Sequence, residues 1–154
     1  MDTSVRTCLW FDDDGEAAAE FYTSLLPESR IESSFHPEPG KPPLVVDFVL
    51  AGVPYQILNG GPQFTQSEAA SISVTVADQV EADRLWHALT ADGGQEGQCG
   101  WLKDRWGVSW QIVPQAVLDM LKNDDRQAAG RAMAAMMTMH RLDIDTMRKA
   151  FDGE

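Results

Sequence analysis

The chain has 154 residues, of which 44% are hydrophobic, and carries a formal net charge of −12. This composition is typical of a folded globular protein with room for one domain or two small fused units. The charge excludes nucleic acid and anionic membrane surfaces as expected partners, because both require a cationic protein face.

The first half of the chain predicts a β-α-β-β-β unit. Strands are predicted over residues 5–11, 30–36, 44–50 and 53–58, and a helix over residues 15–26. The apolar residues of this helix repeat at the spacing of one buried face: Ala18, Phe21, Tyr22 and Leu25. The aspartates of residues 12–14 are expected to cap the helix at its positive end.

The second half repeats this order of elements. Residues 71–76 alternate strictly between Ser or Thr and Ile or Val, which is typical of a half-buried strand. Ala82, Leu85, Trp86 and Leu89 mark a helix, and strands over residues 98–102 and 108–113 form a hairpin. The paired units therefore occupy about residues 5–60 and 70–114 of a domain over residues 1–114.

One phrase occurs in both units: GVPYQIL at residues 52–58 and GVSWQIV at residues 107–113. Such repetition predicts pseudo-twofold symmetry, in which equivalent residues face each other across a shared cavity. Gln56 and Gln111 are such a pair, and we expect their side-chain amides to approach each other.

Residues 115–154 lie outside both copies and predict a helical extension, with helices over residues 116–122, 126–140 and 145–151. Asp124 and Asp143 are expected at or near helix N-caps. Four flexible methionines could fill a core gap, a dimer seam or a ligand cavity: Met133, Met136, Met137 and Met139. Open sheet edges and this apolar tail favour a homodimer.

The N-terminal segment meets the aspartates of residues 12–14 too early for a signal peptide, and no apolar run approaches the roughly 20 residues of a membrane span. We therefore expect a cytoplasmic protein without a membrane partner. Two cysteines, Cys8 and Cys99, have neither the count nor the spacing of a disulfide framework or a zinc site.

Several motifs resemble the PhnB-like, or 3-demethylubiquinone-9 3-methyltransferase-like, family of the vicinal oxygen chelate superfamily. That superfamily includes glyoxalase I, extradiol dioxygenases and bleomycin and fosfomycin resistance proteins. The motifs are LWFD at residues 9–12, FY at 21–22, LNGGP at 58–62, GQCGWLKD at 97–104 and DID at 143–145. The resemblance implies an α+β fold in which two β-α-β-β-β repeats form a curved mixed sheet around a cavity, followed by C-terminal helices.

Metal enzymes of that superfamily place one ligand on each of four strands. The resemblance puts Arg6, Gln56, Ser71 and Gln111 at these places. Arginine cannot ligate a cation, serine is a poor ligand, and two neutral amides replace two carboxylates. We therefore predict no catalytic metal.

The same strand faces predict a small-molecule cavity lined by amides and aromatic rings. Alternatively, these polar side chains form a satisfied polar core and the tryptophans only cover the sheet. The predicted ligand-binding residues are Arg6, Cys8, Trp10, Gln56, Ser71, Ser73, Trp101 and Gln111.

The predicted function is metal-free binding of a small molecule, without a cofactor. An enzyme remains the alternative, either a glyoxalase-like or dioxygenase-like lyase or oxidoreductase, or the methyltransferase that the resemblance implies. No Gly-x-Gly-x-x-Gly turn joins a predicted strand to a helix, so we expect no S-adenosylmethionine binding.

Overall fold

A computed structural model describes residues 2–154. The chain divides into two compact units, Met1–Gln66 and Ser67–Glu154. The α+β class is confirmed: each unit contains a β-α-β-β-β arrangement, and C-terminal helices follow. Within residues 2–154 the strands divide between two four-stranded mixed sheets. No helix in this part of the chain combines the length and apolar character needed to cross a membrane.

The first unit is a four-stranded sheet with one helix against it. Its strand order is β1-β4-β3-β2, in which β1 and β4 are parallel and the other neighbours are antiparallel. Leu9, Phe48 and Ile57 are buried on the helix side of the sheet. The elements are β1 (Thr7–Phe11), α1 (Gly15–Leu25), β2 (Arg30–Phe35), β3 (Val45–Leu50) and β4 (Val53–Asn59).

Helix α1 begins without the predicted aspartate cap. Asp14 occupies the N-cap position but makes no capping hydrogen bond through its side chain. Instead, the amide of Gly15 donates to Asn59 Oδ1 at 2.9 Å. A Cβ atom on Gly15 would lie 2.1 Å from Cγ2 of Ile57, so the helix start packs directly on β4. The capping prediction is wrong for Asp14 because a side chain from the sheet supplies the acceptor.

The second unit has the strand order β5-β8-β7-β6, with β5 and β8 parallel. Leu85, Trp110 and Ile112 are buried on its helix side. The prediction of a strand over residues 98–102 is wrong for residues 98–100, which form a loop, and β6 precedes that loop. The elements are β5 (Ser71–Val76), α2 (Gln79–Thr90), β6 (Gln95–Glu96), β7 (Trp101–Lys103) and β8 (Ser109–Pro114).

The C-terminal helices are α3 (Gln115–Leu121), α4 (Arg126–Met136) and α5 (Ile144–Asp152). Asp125 caps α4, and Asp143 caps α5 as predicted. Helix α4 ends earlier than predicted, because residues 137–143 turn back over the sheet-bearing part of the unit. The helices share a core within the second unit, formed by Val117, Met120, Ala132, Leu142 and Met147. The tail is therefore not an unpaired apolar segment. The proposed domain boundary at residue 114 stays a prediction.

The turn between β7 and β8 is organised by the carboxylate of Asp104, which is buried. Its Oδ1 accepts from the backbone amides of Trp106 at 2.9 Å and Val108 at 3.0 Å. Its Oδ2 accepts from the indole Nε1 of Trp110 at 3.0 Å. Gly107 adopts φ +84°, a left-handed conformation that favours glycine. This carboxylate therefore fixes both the turn and a core tryptophan.

We expect Asp104→Asn to destabilise the protein by about 2–3 kcal/mol. One end of the amide would present an N–H donor where the carboxylate now accepts. Two buried N–H groups would then face each other with no acceptor between them. Urea denaturation measures the change. The matched control is Asp92→Asn, since Asp92 is an exposed acid paired with the neighbouring Arg105 at 3.2 Å. An Asp104→Asn midpoint equal to that of Asp92→Asn would contradict the assignment.

Candidate functional site

The open face of the second sheet carries rows of polar side chains. One row places Ser71 beside Ser109 and Ser109 beside Lys103. The adjacent row joins Ser73, Gln111 and Trp101 in the same way. The alternation predicted for β5 is confirmed, because Ile72 and Val76 are buried on the opposite side. The second sheet thus brings together four predicted ligand-binding residues: Ser71, Ser73, Trp101 and Gln111.

The Gln111 side chain is held in place on this face. Its Nε2 donates to Ser71 Oγ at 2.9 Å, and both side chains are half-buried. The bond orients an amide oxygen and a serine hydroxyl on the sheet without introducing any charge. This arrangement suits the binding of a polar, uncharged group.

A cavity of about 510 Å³ adjoins this face within the second unit. Trp101 is the predicted ligand-binding residue that lines it. At its mouth, Lys103 Nζ pairs with Glu68 Oε1 at 2.5 Å, with side chains 37% and 61% exposed. The other lining residues are Gln95, Glu96, Gly97, Gln98, Cys99, Leu102 and Ser109.

The loop of residues 97–100 forms one wall of the cavity, and the tail anchors it. The amide of Cys99 donates to the Met139 carbonyl, and the amide of Gly100 donates to the His140 carbonyl, both at 2.8 Å. A ring nitrogen of His140, Nδ1, lies 2.6 Å from the Gly97 carbonyl. The role of His140 is therefore structural, and the C-terminal segment keeps the wall in position.

The first sheet places Cys8, Gln56 and Asp47 side by side on its open face. Gln56 Nε2 donates to Asp47 Oδ1 at 2.9 Å. Partial burial, and after it the negative charge of Asp47, raise the pKa of the Cys8 thiol. The thiol is therefore protonated near neutral pH and is a poor nucleophile and a poor metal ligand.

Arg6 and Trp10 are held by bonds within their own unit. Arg6 donates to the carbonyls of Phe48 at 3.3 Å and Tyr55 at 3.1 Å, and pairs with Glu32. These bonds fix the chain before β1. They also give the Arg6 guanidinium partners within the protein, so its position does not require a bound ligand.

Trp10 Nε1 donates to the Gly61 carbonyl at 2.9 Å, and its ring meets Phe64 edge-on. Arg6 and Trp10 remain predicted ligand-binding residues. The expectation that Gln56 and Gln111 line one cavity also stays a prediction.

Sequence reasoning missed Asp47 and Ser109. Asp47 could have been found by counting back from the turn at residues 51–52, which pairs Leu50 with Val53 and hence Asp47 with Gln56. Ser109 alternates with Trp110 along β8, so its side of the sheet was available from the sequence. Its burial was not, because it depends on the folded surroundings of β8.

Within residues 2–154, no group of three or more His, Cys, Asp or Glu side chains is placed to hold a metal ion. At the four predicted ligand places stand a guanidinium, a hydroxyl and two amides. Each of these four side chains has a hydrogen-bond partner in its own unit. This donor set does not fit a catalytic divalent ion.

Residues 3–113 match the model of the family described as 3-demethylubiquinone-9 3-methyltransferase. The chain belongs to this family. The PhnB protein of Bacillus cereus is a solved relative with 31% identity and a TM-score of 0.65, and the match covers 73% of this chain and 99% of that one. The family match and this relative confirm the vicinal oxygen chelate superfamily. No curated protein matches the chain.

More distant structures share the fold of this 3-demethylubiquinone-9 3-methyltransferase family member. A Pseudomonas aeruginosa protein has 22% identity and a TM-score of 0.60, with 73% of this chain and 98% of that chain covered. The fosfomycin resistance protein FosX of Listeria monocytogenes, solved with manganese and sulfate, has 15% identity and a TM-score of 0.51. That match covers 73% of this chain and 91% of FosX.

The raised pKa of Cys8 predicts slow alkylation near neutral pH, because the thiolate is the reactive form. In a Cys99→Ser background, iodoacetamide should modify Cys8 faster after Asp47→Asn, which removes the negative charge and keeps an acceptor for Gln56. The rate should rise as pH increases toward the thiol pKa. Asp13→Asn is the matched control and should change nothing. Equal rates for both variants would show that Asp47 does not act on the thiol.

Proposed function

We propose that this chain is a metal-free small-molecule-binding protein whose ligand lies on the open face of the β5-β8-β7 sheet. One observation carries the proposal: Ser71, Ser73, Gln111 and Trp101 share that face, beside a cavity of about 510 Å³. This volume is in the range of small-molecule sites, and a few placed polar groups beside an aromatic ring are their usual lining.

A metal-dependent enzyme is the less supported function, because the side chains at the four predicted ligand places do not suit a divalent ion. The amide groups of Gln56 and Gln111 already donate to Asp47 and Ser71. Neither Arg6 nor Ser71 supplies an anionic metal ligand. The raised pKa of the Cys8 thiol keeps it protonated near neutral pH, so it is a poor metal ligand as well. We therefore propose that binding does not depend on a divalent ion.

The second candidate is a methyltransferase, which the family description favours. The chain has no glycine-rich turn of the type that binds nucleotide cofactors between a strand and a helix. Calorimetry that gave a micromolar dissociation constant for S-adenosylmethionine, about −8 kcal/mol, would decide for this candidate.

We also propose a homodimer in the cytoplasm. Every residue of the edge strand β2 is exposed, including the apolar Phe35 at 59%. On the tail, Met133 and Met137 are also exposed, while Met136 packs against the helical core. An exposed strand edge and exposed apolar side chains both favour association with a second copy.

Native mass spectrometry of the freshly purified protein tests the dimer, the retained ligand and the independence from metal together. We expect the mass of a dimer carrying a retained small molecule and no stoichiometric metal. A monomer at micromolar concentration would contradict the dimer. About one divalent ion per chain would contradict metal-free binding.

Gln111→Leu should lower the occupancy of the retained molecule, with a loss of about 1–3 kcal/mol if the amide makes a buried hydrogen bond to it. The fold should survive, because leucine has a similar size. Gln127→Leu, on the exposed side of α4, is the matched control and should keep the wild-type occupancy. Undiminished occupancy in Gln111→Leu would show that the ligand does not bind on the open face of the second sheet.

A further inference from the structure

Ser109 has a side chain whose position the fold alone does not explain. The residue is only 1% exposed, and its Oγ has no hydrogen-bond partner among residues 2–154. Buried hydroxyl groups in folded proteins are nearly always hydrogen-bonded, because an unpaired one loses its bonds to water without replacement. Ser109 lines the cavity of the second unit, and although its Oγ exposes less than 1 Å² in this structure, rotation of the side chain toward the cavity would let a bound group supply the missing bond.

The cation that lines this cavity, Lys103, is already paired with a carboxylate. Lys103 pairs with Glu68 at the exposed mouth, and Glu96 Oε1 accepts from the indole of Trp86 at 2.8 Å. The buried position of Ser109 itself carries no charge. Moving an anionic group to that position would cost far more than moving a neutral one, since the lining cation Lys103 is already paired with Glu68. The acceptor that meets the Ser109 hydroxyl is therefore neutral rather than anionic.

The remaining walls describe the rest of the ligand. Trp101 supplies an indole ring to the lining, which gives the cavity apolar, aromatic surface. The loop of residues 97–100 is held by backbone bonds to Met139 and His140, so this wall is fixed before a ligand arrives. A rigid, flat molecule that lies against Trp101 in this preformed cavity would lose little conformational entropy on binding.

Resting on the proposed binding function, we propose that Ser109 is the recognition point for an uncharged planar carbonyl compound. The Ser109 hydroxyl donates to the carbonyl oxygen, and the flat body of the molecule lies against Trp101. An aryl ketone has the required chemistry, whereas an aryl carboxylate of the same size carries a charge that the buried position disfavours.

Three probes of similar shape separate these features: acetophenone, which is neutral with a carbonyl group; benzoate, which is charged; and ethylbenzene, which has no polar group. Each is titrated by ligand-observed NMR into the wild type, Ser109→Ala and Thr75→Ala. Thr75 of β5 is an exposed hydroxyl residue on the same open face of the second sheet and serves as the matched control. Ser109→Cys provides a second variant of similar size with a weak donor.

Acetophenone should bind the wild type more tightly than either other probe. Ser109→Ala and Ser109→Cys should weaken acetophenone by about fivefold, the usual effect of one neutral hydrogen bond, and leave ethylbenzene unchanged. Thr75→Ala should bind all three like the wild type. Ser109→Ala should melt at or above the wild-type temperature, because it removes an unpaired buried hydroxyl.

Equal acetophenone affinity in the wild type and both Ser109 variants would overturn the role of Ser109 while leaving the proposed binding function standing. Tighter binding of benzoate than of acetophenone would overturn the assignment of an uncharged ligand. If no probe binds the wild type, the inference is overturned. Native mass spectrometry then decides the proposed function separately, since a retained molecule of another class would preserve it.

Discussion

The buried carboxylate of Asp104 is the interaction on which the candidate site depends. It receives two backbone amides from its own turn and the indole of Trp110 from β8. These bonds fix where β8 begins relative to β7 and hence the pairing of Lys103 with Ser109. A slip of one residue would turn every side chain of β8 to the other face of the sheet. Trp110 would then leave the core, and Ser109 and Gln111 would leave the open face.

The C-terminal segment gives the site its second support. Gln79 of α2 donates to the Leu142 carbonyl at 3.0 Å and accepts from the amide of Ile144 at 2.8 Å. Arg141 pairs with Asp83 on the same helix at 2.6 Å. This clamp holds residues 139 and 140 where they bind the loop of residues 97–100. One wall of the cavity therefore depends on residues some forty positions later in the chain, which pack within the second unit.

The sequence predicted the parts of the fold that follow from local patterns. The alternation of residues 71–76 fixed a strand and its polar face, and the repeated phrase placed Gln56 and Gln111 on equivalent strands. The start of α1 at residue 15 was predicted correctly, but its capping group could not be, because the acceptor comes from Asn59, remote in sequence. The loop at residues 98–100 was mistaken for strand because the backbone amides of Cys99 and Gly100 donate to the tail rather than to a neighbouring strand. The burial of Ser109 likewise follows from tertiary packing and not from spacing.

The central claim is that the open face of the second sheet, with the adjoining cavity, is a ligand site. Titration of ¹⁵N-labelled protein with acetophenone, followed by backbone amide shifts, tests it most directly because every part of the chain reports at once. The account predicts that the shifted amides cluster at residues 71–73, 97–103 and 109–111. Shifts confined to other segments, such as residues 12–13 and 37–44 of the first unit, would contradict it.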